Sequence, residues 1–81
     1  MNKKSESASY AAFEEIMRRA MDEALSLQAE NPISEESIGA LQAYFNIIDW
    51  GKQQADLLGI EIGDQELKAF DPYSLLQKKA A

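Results

Sequence analysis

The residues able to do chemistry in this chain are carboxylates. Fourteen aspartates and glutamates stand against eight lysines and arginines, with no histidine and no cysteine. Acid–base catalysis or a divalent cation would fall to paired acids: Glu14/Glu15, Asp22/Glu23, Glu35/Glu36, or the more distant Asp49 and Asp56. Helical geometry turns adjacent members of a pair about 100° apart, away from a shared substrate. Asp49 and Asp56 share a face but stand two turns apart. Gly63-Asp64-Gln65-Glu66 lacks the alternating oxygen ligands of a calcium loop. There is no glycine-rich phosphate loop and no nucleophile set beside a base. The expectation is a non-enzymatic protein without metal or cofactor.

Charge narrows the class of partner. A formal charge of −6 disfavours nonspecific attraction to nucleic acid or to an anionic membrane. Ala55, Gly59 and Ile60 do match the spacing of a helix-turn-helix turn. The segment that would enter the groove, Asp64 to Phe70, carries a single lysine, Lys68, against Asp64 and Glu66, the wrong balance for phosphates and base edges. Direct nucleic-acid binding is disfavoured on that ground. Between Glu30 and Asp71 the carboxylates outnumber the lysines nine to two. That reads as a solubilising surface or as a face for a basic partner, below the charge density that imitation of DNA phosphates would need.

Eighty-one residues make one domain, near the size at which a single core is only marginally stabilising. Without disulfides, helix packing must hold it together, with or without self-association. Residues 1–8 are polar and are expected to fray as a tail, leaving 9–81 as the domain. Phe13, Ile16, Met17, Ala20, Met21, Ala24 and Leu27 recur at three- and four-residue spacing and predict a helix from about Ser9 to Ala29. Its other face carries the rows Glu14–Arg18–Asp22 and Glu15–Arg19–Glu23, ordered to pair along a helix and expected to be solvated.

Pro32 stops that helix and Ser34 caps the next. Glu35 and Glu36 suit its dipole, and Gly59 ends it after about 24 residues. The short connector from Ala29 to Ile33 makes the two helices antiparallel neighbours. Beyond Gly59, Ile60 and Ile62 lie in an extended turn. Asp64 caps a short helix to about Phe70, and Asp71-Pro72 starts another that ends at Gln77, Lys78 and Lys79. The predicted fold is all-α: an antiparallel hairpin of two long helices plus one or two short C-terminal helices. No stretch approaches the ~20 apolar residues of a membrane span. No apolar run follows the initial lysines as in a signal peptide. A cytoplasmic protein is expected, and the lysine-led, cysteine-free chain suits a bacterial or phage origin.

The central helix carries a surplus of apolar residues. Ile38, Leu41, Phe45, Ile48 and Ala55 form one stripe, which Tyr44, Ile47, Gly51 and Leu58 widen. Trp50 and Leu57 lie together on another side, with Ala43 and Gln54 nearby. One neighbour requires only about a 100° apolar arc, so this helix should contact more than one element. Either the short C-terminal helices cover Trp50 and Leu57, or a second protein does. Gly51 either admits a close helix approach or breaks the helix after Trp50. The expected site is Trp50 and Leu57 rimmed by Asp49, Lys52 and Asp56, on an adaptor or inhibitor that binds another protein. The alternatives are a homodimeric structural subunit, an acidic inhibitor of a nucleic-acid-binding machine and, last, a helix-turn-helix-like regulator.

Overall fold

The structure, a computed structural model, describes residues 3–30 and 33–76. It is all-α, with α1 at Lys3–Gln28, α2 at Glu35–Leu58, α3 at Gln65–Ala69 and a 3-10 helix at Pro72–Leu76. The two long helices pack against each other, and no strand occurs among the described residues. Ile60 to Gly63 is extended connection. Pro32, Gln77, Lys78 and Lys79, which were given start and stop roles above, lie outside the described residues.

The helix ends follow from local chemistry. Ser34 sits in extended backbone and its Oγ accepts the Ser37 amide at 3.1 Å. Ser37 is buried, and its hydroxyl donates to Glu30 Oε1 at 2.6 Å, which ties the connector to the start of α2. At the far end Gly59 takes φ 69°, and the Ile60 amide reaches back to the Ala55 carbonyl at 2.8 Å. That is the Schellman arrangement, and it requires a residue without a β-carbon penalty at position 59. Asp64 Oδ1 accepts the Leu67 amide at 3.1 Å to start α3. Asp71 Oδ1 accepts the Tyr73 amide at 3.0 Å to start the 3-10 helix.

One boundary differs from expectation. The first helix begins at Lys3 rather than near Ser9. No proline or glycine stands between Lys3 and Ser9 to stop a helix, and lysine, glutamate and alanine are adequate helix formers.

The core is built from Met17, Ala20, Met21 and Ala24 of α1 and Leu41, Ile48 and Ala55 of α2, closed by Ile62, Leu67 and Leu75. α2 runs unbroken through Gly51, which resolves the choice between approach and break. A β-carbon there would lie 2.9 Å from Met17 Cγ and closer still to its Sδ, so the glycine lets the helices meet. Phe45 packs edge-to-face on Tyr73, with centroids 5.0 Å apart. Gln28 Nε2 donates to the Ser74 carbonyl at 2.9 Å and pins the 3-10 helix to α1.

The short C-terminal elements cover one flank of the hairpin and leave the other open. Three residues placed on the apolar stripes are consequently exposed, Ile16, Ile47 and Leu58, and Ile38, near the start of α2 on the other side, is exposed as well. The row Glu14–Arg18–Asp22 departs from expectation in the opposite sense. Glu14 accepts the amides of Gly63 at 3.2 Å and Asp64 at 2.7 Å, while Arg18 Nη1 meets both Asp64 oxygens at 3.0 and 3.1 Å. This row is the clamp that docks α3, and only Asp22 retains the role of a local helix partner.

Candidate interaction face

α2 is held on two sides. Gly51 and Ala55 face α1, and Lys52 faces α3. At about 100° per residue, Trp50 points roughly opposite to Lys52, with Leu57, Ala43 and Gln54 in the same sector. No element of the described chain covers that sector. Trp50 is 61% exposed and Leu57 77% exposed. Ile47 and Leu58 stand exposed on the edge of the same sector nearer α1, and Ile16 is exposed on α1 itself.

The five residues expected at the site separate into two roles. Trp50, Leu57 and Asp56 are exposed, and Asp49 is half-buried with its Oδ2 accepting Gln53 Nε2 at 2.9 Å. Lys52 does not border the tryptophan. Its Nζ donates to the carbonyls of Leu67 at 3.3 Å, Lys68 at 3.0 Å and Phe70 at 2.5 Å. The Leu67 carbonyl also accepts the Phe70 amide at 3.2 Å, and an ammonium suits the negative end of a helix. The lysine therefore fastens α3 to α2 and leaves the rim to carboxylates. Because Lys52 is the only basic residue of α2, its outer face carries acids and no cation.

The covered flank carries electrostatic tuning. The amide of Leu67 and then the Arg18 guanidinium hold the Asp64 carboxyl below its ordinary range, against partial desolvation. Hydrogen bonding to Lys68 lowers Glu61 similarly, across a 2.7 Å ion pair. Arg18 is raised in turn, first by its bond to Asp64. Arg18 and Asp64 join the start of α3 to the hairpin, and Glu61 and Lys68 tie α3 to the connector before it. No cluster of three acids suited to a metal ion occurs among the described residues. Asp49 and Asp56, weighed above as a carboxylate pair, are the acids that flank the exposed apolar sector.

Three exposed residues of this face, Ile16, Ile47 and Leu58, were assigned to the core by periodicity. The signal that separates them is angular: each lies at the margin of its stripe, on the side away from the residues that bind α3. No helix of the described residues is long and apolar enough to cross a membrane. No family model, curated protein or solved structure matches the chain.

Proposed function

We propose that the chain is a non-enzymatic protein–protein interaction module whose binding face is the outer side of α2. The observation that carries this reading is the exposure of Trp50 and Leu57, 61% and 77%, on a helix fastened elsewhere at both ends and along its inner side. Tryptophan is a frequent anchor of interface energy, and it works best when a rigid element presents it and little ordering remains to be done on binding. Isolated exposed apolar residues are ordinary on protein surfaces. A tryptophan, two leucines and an isoleucine in one sector of one helix are the kind of contiguous patch that marks a contact site.

The test compares immobilised wild-type chain with a Leu57→Gln chain in extract of the cells that make it. Captured proteins are identified by mass spectrometry, added copies of the chain itself included. The expected result is at least one species retained by the wild type and lost by the variant, with both chains equally helical by circular dichroism. An identical captured set for the two chains would overturn the assignment of this face.

A further inference from the structure

We infer that the occupant of the outer face of α2 is a second copy of this chain, docked antiparallel so that two hairpins form a four-helix bundle. The inference rests on the interaction face proposed above and names its partner. It begins from spacing. Ala40, Ala43, Ile47, Trp50, Gln54 and Leu57 follow one another in alternating steps of three and four. Such a series keeps a single seam facing a second helix, over about 26 Å here. All six are exposed or half-buried in the single chain. This seam is therefore distinct from the stripe that α2 already presents to α1.

Size along the seam is graded. Its first two positions are alanines, while isoleucine, tryptophan, glutamine and leucine fill the rest. An antiparallel copy centred between Ile48 and Asp49 matches alanine to a larger residue in the outer layers and isoleucine to tryptophan in the central ones. Ala40 then faces Leu57 of the second copy, Ala43 faces Gln54, and Ile47 faces Trp50. Facing layers of alternating size are how helices interdigitate at native density. A parallel copy sets alanine on alanine at one end and tryptophan on tryptophan near the other. It also places Glu35 and Glu36 beside their own images.

Charge next to the seam selects against neither copy. Partner choice between coiled helices is set by the columns that flank the seam. One flanking column is Gly39, Asn46 and Gln53, and the other is Tyr44, Gly51 and Leu58. None is charged, so nothing beside the seam calls for a basic partner. Asp49 and Asp56 lie one column further out, where their effect is a longer-range repulsion that salt screens. α1 stands about a quarter-turn round from the seam, so the same docking brings the exposed flank containing Ile16 toward its counterpart.

Sedimentation equilibrium over a concentration series is the first test. The mass is expected to rise from that of the 9.0 kDa chain toward twice that value, and the dimer fraction is expected to grow with added salt. A basic partner would be released by salt instead. Trp50→Glu and, separately, Leu57→Gln are expected to remain monomeric while keeping the helical circular dichroism of the wild type. Orientation is read with a short bismaleimide, since the chain has no cysteine of its own. A mixture of Ala40→Cys and Leu57→Cys chains should cross-link, and Ala40→Cys alone should not.

A wild type that stays monomeric at every concentration overturns the inference, as does dimerisation unaffected by either seam variant. Cross-linking of Ala40→Cys alone overturns the antiparallel register. A monomer that still loses captured proteins on Leu57→Gln removes the second copy but leaves the interaction face standing. A monomer whose captured set is unchanged removes both.

Discussion

The two flanks of α2 carry similar raw material and meet opposite fates. On one flank Lys52, with Glu14 and Arg18 of α1, receives the turn at Gly63 and Asp64 and the end of α3. On the other flank Trp50, Leu57 and Leu58 project from α2 with none of the described residues over them. The covered flank combines buried Ile62, Leu67 and Leu75 with charged side chains that bind backbone groups, and the open flank is apolar. Burial is therefore not assigned here by hydrophobicity alone. At α3 the buried Leu67 enters the core while the helix's exposed amides and carbonyls find partners on the polar flank.

The largest effect separating the two sides should come from side-chain truncation. Ile48 is fully buried and faces the hairpin core, so Ile48→Ala is expected to destabilise the fold by about 2–5 kcal/mol. Trp50→Ala, although it removes far more atoms, should lose under about 1.5 kcal/mol in a dilute urea melt, because its ring already faces water. Equal losses for the two variants would erase the distinction between the flanks.

The glycines of α2 offer a second contrast, opposite in sign. Gly51→Ala pushes a β-carbon into Met17, which is itself buried, and should destabilise by about 1–3 kcal/mol. Gly39→Ala meets nothing within 4 Å and should stabilise by up to about 1 kcal/mol through helix propensity. Thermal melts of the two variants at one low concentration check both signs.

The covered flank should also respond to acid. Asp64 and Glu61 have folded-state pKa values lowered below their unfolded ones. Their contribution is thus fully present above the ordinary carboxylate range, about 4, and is lost as pH falls through the lowered values. Asp64→Asn keeps an N-cap oxygen for the Leu67 amide but drops the charge that meets Arg18. Its melting temperature should fall less steeply than that of the wild type between about pH 5 and 2. A parallel decline would mean that the Arg18–Asp64 pair adds nothing to the docking of α3.

How much of this was legible in the sequence depends on whether the deciding contact was local. The bounds of α2 were readable because Ser34 and Gly59 do their capping within one helical turn. Asp64 and Asp71 likewise act on amides two or three residues away. The clamp formed by Glu14 and Arg18 was not readable. Its spacing is that of an ordinary solvated row, and its partners lie 46 to 50 residues away. The same limit applies to Ile16, Ile47 and Leu58. Periodicity tells which residues share a face, while the length of the covering element decides whether the face is covered. A five-residue α3 and a five-residue 3-10 helix span only one flank. Trp50 and Leu57 were separable from the core because they sit far round the helix from Ile48.

The central claim is that the outer side of α2 is open in the single chain and closed by association, and the sole tryptophan reports on it directly. Trp50 fluorescence, with acrylamide quenching, can be followed from the dilute monomer to the concentrated sample under the same buffer. The account predicts red-shifted, readily quenched emission when dilute, moving to blue-shifted and protected emission as the sedimenting mass doubles. Blue-shifted, protected emission in the dilute monomer would place Trp50 in the core and contradict it.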